Sequence, residues 1–186
     1  MRRAGWIVAM LAMAVLGGCG SDDNPTEPPI PTLKYDRTTP QNTLLAMQTA
    51  YVARDSLETK QVYDSSYVGA STNLSDPPGS QVSIFQYQDE FAHVATLART
   101  LTIVAITLDL GPSSSWSRLP SDDPSHPEWA MIQISNFHGE LVDGATLYSF
   151  TSTNPMTFAF IPTVAAPGDT TWKIIRWTEI GSGSGI

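Results

Sequence analysis

The chain has 186 residues, of which 41% are apolar and 15% charged, and carries a formal net charge of −8. An acidic surface repels the phosphates of nucleic acids and anionic lipid headgroups, which excludes a DNA-binding or polybasic membrane-docking role. The single cysteine, Cys19, excludes an internal disulfide.

In chain order, Arg2 and Arg3 precede an uncharged apolar run, Trp6 to Leu16, that gives way to glycines. This is the pattern of an export signal, residues 1–18. The run is too short to cross a bilayer core, which takes about 20 residues. Loss of the two arginines with the leader takes the formal charge from −8 to −10. The quartet Leu16-Gly17-Gly18-Cys19 resembles a bacterial lipobox. The resemblance implies cleavage between Gly18 and Cys19, lipidation of the Cys19 thiol and a place at the cell envelope, on the outer membrane or its periplasmic face where two membranes exist. One acyl chain anchors a protein only marginally, so Cys19 is expected to carry two or three. Residues 19–38 hold Pro25, Pro28, Pro29 and Pro31 with Asp22, Asp23 and Glu27, and read as an extended tether.

The domain is expected over residues 39–180. Thr39 as cap, Pro40 at the first helical position, and Leu44, Met47 and Tyr51 at helical spacing predict a first helix, with Leu45 and Val52 beside that stripe. Asp55 with Glu58 reads as a capping box that opens a shorter helix to about Val62. Tyr63 to Ala70 reads as extended, and Asp76-Pro77-Pro78-Gly79 as a loop. Asp89 and Glu90 suit the positive end of a third helix, whose apolar stripe is Phe91, Val94, Ala95 and Ala98.

After Thr100 the period becomes two. Val104, Ile106, Leu108 and Leu110 alternate with Ala105, Thr107 and Asp109, which predicts a half-buried strand stopped by Gly111-Pro112. Trp129 to Val142 reads as one long strand with a bulge or bend near residues 136–139, followed by a hairpin turn at Asp143-Gly144. Strands Thr146 to Ser152, Met156 to Ile161 and Thr171 to Ile180 follow, and residues 181–186, GSGSGI, form a flexible tail. Helices followed by antiparallel strands make an α+β domain, with N-terminal helices packed against a curved, mainly antiparallel sheet.

Two phrases carry a further resemblance. NTLLAMQTAYVARDSLETKQVYDSSYVG (42–69) and DTTWKIIRWTEI (169–180) resemble the opening and closing segments of the nuclear transport factor 2 superfamily, which includes ketosteroid isomerase and SnoaL-like proteins. Bacterial lipoproteins with such a domain are similar in arrangement. The resemblance implies a cone-shaped fold with a pocket that in the enzymes holds a general base and neutral donors. The base position falls near Gly69 and Ala70, neither of which can take a proton. A non-enzymatic small-ligand or protein-interaction module is therefore expected, with an isomerase, dehydratase or hydrolase, or a structural envelope partner, as alternatives.

Candidate pocket residues are Tyr51, Tyr63, Asp64 and His138, with Asp64 also suited to a turn and both tyrosines to the core. His93, four residues after Asp89, suits an ion pair with it. Asp122, Asp123, His126 and Glu128 crowd one proline-bounded loop, but match neither a calcium loop nor a zinc set and read as solvated charges. No phosphate loop, paired-histidine helix or serine elbow occurs, so no cofactor and no metal is expected. The expected partners are the membrane through the lipid on Cys19, a small apolar ligand and a second copy through a sheet face left uncovered by the helices. Trp172 and Trp177, five apart, are expected on opposite strand faces. Met156, Phe158 and Phe160 share one face, as do Tyr148 and Phe150.

Overall fold

Helix α1, Pro40–Val52, starts where Thr39 accepts a hydrogen bond from the Asn42 amide, with Pro40 in the position that needs no N–H partner. It belongs to a computed structural model that describes residues 35–74, 76–152, 154–166 and 169–181, all within one compact unit, Leu33–Ile186. The leader, Cys19, the tether up to residue 34 and residues 182–186 of the tail lie outside the described residues. The last four tether residues belong to the domain instead. Arg37 is buried and donates to the Gln61 carbonyl, its own carbonyl accepts from the Trp172 amide at 2.8 Å, and Asp36 accepts from the Thr38 amide. A buried guanidinium on a last-turn helix carbonyl is a fixed contact, and it anchors the start of the domain.

Leu44, Ala46, Met47 and Ala50 of α1 are buried, whereas Leu45 and Val52 lie outward. Arg54 ends the helix in the left-handed region at φ 55°, and the Asp55 side chain accepts from the Leu57 and Glu58 amides to open α2, Ser56–Val62. Strand β1, Tyr63–Asn73, turns back into β2, Val82–Gln86, a strand the sequence reading missed. Helix α3, Tyr87–Arg99, follows β2 directly, and Asp89 Oδ2 accepts from the Gln86 amide at 2.7 Å. Its buried residues are Val94, Ala95 and Leu97, so the stripe is rotated from the expected one and Ala98 faces out.

Strand β3, Ile103–Asp109, buries Ile103, Ile106 and Leu108, while Val104 is 65% exposed. A register shift between Ile103 and Ala105 breaks the simple alternation there. A short edge strand, β4 (Ser117–Leu119), was also missed. The expected long strand is two: β5, Ala130–Ile134, and β6, Phe137–Asp143, divided at Ser135-Asn136 where the chain changes sheet. The switch of apolar parity in the sequence marks that crossing, not a bulge within one strand. Strands β7 (Thr146–Ser152), β8 (Met156–Ala166) and β9 (Asp169–Gly181) complete the domain. Asp143 pairs with Thr146, so the two turn residues are Gly144, at φ 58°, and Ala145.

The strands form a six-stranded sheet, β2-β1-β9-β8-β5-β4, and a three-stranded sheet, β3-β6-β7. All pairs are antiparallel except β1 with β9. The α+β arrangement is as expected, with the strands divided between two hydrogen-bonded ladders.

The tryptophans need correction. Phe160 pairs with Ile174 but Ala159 with Arg176, so Ile175 is an extra residue in β9. That bulge cancels the odd spacing, because Pro162, Phe160 and Phe158 of β8 face Trp172, Ile174 and Trp177 in turn. Both tryptophans therefore pack on the same core. Met156, Phe158 and Phe160 are also core, at most 3% exposed, and leave no open face of their own. The large exposed apolar residues of this sheet are instead Val68, Val82, Ile84 and Ile180, in adjacent rows of β1, β2 and β9, and Val164 near the end of β8.

Candidate functional site

Two cross-strand rows, each with a glycine in it, face one another across a cavity. In the larger sheet Phe85, Gly69, Trp177 and Phe158 are successive register partners. Phe85 and Trp177 stack with centroids 6.3 Å apart, and Trp177 stacks on Phe158 at the same separation. In the smaller sheet Leu108, Gly139 and Phe150 are partners, and a Cβ on Gly139 would lie 2.0 Å from the Phe150 ring. The absent side chains let the aromatic rings lie close over the backbone.

The cavity measures about 650 Å³, within the usual range for small-ligand sites. Its inner wall is apolar: Met47 of α1, Leu108, Leu110, Met156 and Phe158 are all buried. Ile84, Asp89 and His93 line it and are exposed, so they mark its opening. Tyr63 is buried with the inner wall, and Tyr51, Glu90 and Glu179, half-buried, complete the lining.

Glu90 is the group with the most altered chemistry. Its Oε1 accepts from the hydroxyl of Tyr67, itself 2% exposed, at 3.0 Å. Burial raises the Glu90 pKa, the Tyr67 bond pulls it back in part, and the neighbouring Asp89 charge raises it further. The phenols respond in kind. Burial first, and then the Glu90 charge, push Tyr51, Tyr63 and Tyr67 up, so all three stay protonated donors. Tyr51 is hydrogen-bonded to His93 Nε2, whose ring lies 5.7 Å from the phenol, centroid to centroid. Burial lowers the His93 pKa and keeps the imidazole neutral near pH 7. The site thus offers a half-buried carboxyl able to hold or release a proton, neutral hydroxyl and imidazole groups, and a large apolar chamber.

Of the residues expected in a pocket, Tyr51 and Tyr63 line this cavity. Asp64 does not; its Oδ1 accepts from the Ser66 amide at 2.9 Å, a turn contact at the entry to β1. His138 also lies outside it, beside a separate cavity of about 140 Å³, with Nε2 3.2 Å from Glu140 and Nδ1 3.1 Å from Thr151. It points there because β6 turns Phe137 toward the large cavity, and the next residue must face the other way. His93 forms no ion pair with Asp89, which is turned back to the helix start by its cap bond.

Glu90 was read from sequence only as a helix-end charge. The signal that locates it is its spacing from Val94 and Leu97, which places it at the head of the buried stripe of α3. The loop charges near His126 pair locally: His126 with Glu128 at 3.0 Å, and Asp122 with Arg176. Among the described residues no group of three or more histidine, cysteine or acidic side chains is placed to hold a metal ion.

No protein-family model matches the chain, and no curated protein matches it. Solved structures do. A nuclear transport factor 2-like superfamily protein from Salmonella enterica serovar Typhimurium superposes with TM-score 0.51 at 10% identity, over 78% of this chain and 90% of that one. A conserved protein from Planctomyces limnophilus gives 0.52 at 11%, over 75% and 91%. The beta subunit of a benzoate 1,2-dioxygenase from Burkholderia mallei gives 0.53 at 12%, over 76% and 87%. At such identities the likeness shows a common fold. The domain has the nuclear transport factor 2-like fold.

Proposed function

We propose that this nuclear transport factor 2-like domain is a small-ligand-binding module, held at the bacterial cell envelope by lipid on Cys19. The cavity carries the reading: a mainly apolar chamber of about 650 Å³ with a few polar groups among its lining residues. Such a chamber suits a ligand with an apolar body and one polar head, because the walls reward area removed from water while a few polar groups set orientation. The lipid anchor is supported by the leader and lipobox alone.

A second reading is favoured by one observation, the raised pKa of Glu90. A carboxyl poised in this way, one helical turn from the His93 that bonds Tyr51, is suited to proton transfer at a bound substrate. Native mass spectrometry of the protein purified from its envelope distinguishes the two. Binding predicts an adduct that is released unchanged after incubation. Catalysis predicts a released species of altered mass or isomeric form, with turnover falling about 100- to 1,000-fold in Glu90→Gln. Absence of any adduct, from native extract and from added apolar compounds alike, would overturn both.

A further inference from the structure

The cavity is lined by three carboxylates and no lysine or arginine. Asp89, Glu90 and Glu179 all contribute to it. Every hydrogen bond they receive there comes from a neutral donor: the Gln86 amide to Asp89, the Tyr67 hydroxyl to Glu90, and the Ser71 hydroxyl to Glu179 at 2.5 Å. Arg99 of α3 and Lys173 of β9 do not line the cavity, and four further cations of nearby elements are engaged elsewhere. Lys60 of α2 sits 3.9 Å over the Phe91 ring, Arg176 of β9 holds Asp122, Arg54 donates to the Ile103 carbonyl, and Arg37 donates to the Gln61 carbonyl. The negative charge at the cavity therefore has no positive counterpart within it.

Resting on the ligand-binding reading above, we propose that the cavity selects an amphipathic cation: an apolar body carrying a protonated amine. The body fills the chamber against Met47, Leu110, Met156 and Phe158, and the ammonium stays toward the opening, within reach of Glu90 and Asp89. Two features favour this seat. Asp89 is exposed, so a cation beside it keeps part of its hydration and the cost of burying a charge is limited. The stacked Phe85 and Trp177 rings line the same cavity, and aromatic faces attract ammonium groups. An anionic head would meet three carboxylates with no cation to receive it and is rejected. A neutral hydroxyl is tolerated but gains no charge-assisted bond.

The test uses three probes with one body: 2-(2-naphthyl)ethylamine, 2-(2-naphthyl)ethanol and 2-naphthylacetate, titrated into the full chain by calorimetry at pH 7. The expected order is amine, then alcohol, then carboxylate, with the amine about tenfold or more tighter than the alcohol. The alcohol must also displace the amine, since an acidic protein attracts amines over its whole surface. Glu90→Gln is expected to weaken the amine about tenfold and leave the alcohol within about twofold. Should that variant fail to fold, Glu179→Gln tests the same selectivity from β9, with a smaller loss for the amine only. Equal or tighter binding of the alcohol or carboxylate overturns the cation proposal and leaves the ligand cavity standing. Amine binding that the alcohol cannot displace overturns it too, because the amine then sits on the surface. If none of the three binds, the ligand-cavity reading itself fails and this inference with it.

Discussion

At residue scale the chemistry centres on Glu90, the fourth residue of α3, where a carboxylate in water would only complement the helix dipole. Its distinct behaviour comes first from burial, which raises its pKa, while the Tyr67 bond opposes that rise and Asp89 adds to it. Linkage then gives a sign. With its folded pKa above the ordinary value of about 4.3, the native state binds more protons than the unfolded chain between those two values. The stability Glu90 contributes is thus complete below about pH 4.3 and is lost as pH rises through its folded pKa. Glu90→Gln removes this slope while its amide oxygen still accepts from Tyr67. The Tm of the variant minus that of the native protein is expected to grow as pH is raised from about 4 to about 8. A difference that stays level across that range would show that Glu90 titrates normally. Glu90 and His93 stand one turn apart in the sequence, but nothing local says that one meets Tyr67 and the other Tyr51. Those partners are brought by β1 and α1.

At the scale of elements, the capped helices and alternating strands were legible because their signals are local: Thr39-Pro40, Asp55, and the period of two from Ile106 to Leu110. Strands β2 and β4 were not, since they are short edge strands whose residues are mostly exposed and carry no apolar alternation. The bulge at Ile175 was invisible for another reason. A bulge is a mismatch between two strands and exists only once β8 and β9 are paired. Gly69 illustrates the same dependence. A Cβ there would lie 2.4 Å from the Tyr67 hydroxyl and 3.2 Å from the Trp177 ring, in a row where Tyr67 has almost no freedom to move. Gly69→Ala is expected to cost about 1–3 kcal/mol in chemical denaturation. Part of that cost is the displaced hydroxyl, so it should shrink by at least about 0.5 kcal/mol in a Tyr67→Phe background. Additive effects of the two substitutions would mean that Gly69 does not hold room for the Tyr67–Glu90 bond.

At the scale of the whole molecule, the cavity is a property of two sheets facing each other and of two helices that close it, with lining residues drawn from α1, α3 and seven of the nine strands. The proposed leader and lipid anchor at Cys19 would act on the whole chain in a different way, by addressing it. Cys19→Ser is expected to leave a full-length precursor without incorporated fatty acid, read by metabolic labelling with a radioactive acyl chain. Labelling equal to that of the native protein would remove the anchor from the account.

The sequence by itself determined what depends on neighbours in the chain: the acidic balance, the lipobox resemblance, the helix caps, the strand periods and the α+β order, including the two phrases that resemble the nuclear transport factor 2 superfamily. Only the tertiary structure decided which polar residues share the cavity. Tyr51 of α1 and Tyr63 at the start of β1 both line it, whereas His138 and Asp64, of equally suitable chemistry, lie outside it. The division of residues 129–142 between two sheets, the common face of Trp172 and Trp177, and the inward aim of Glu90 were decided in the same way. Each follows from strand register or helix rotation, quantities set by packing between segments far apart in the chain, and a one-residue change in either carries a side chain from the core to the solvent.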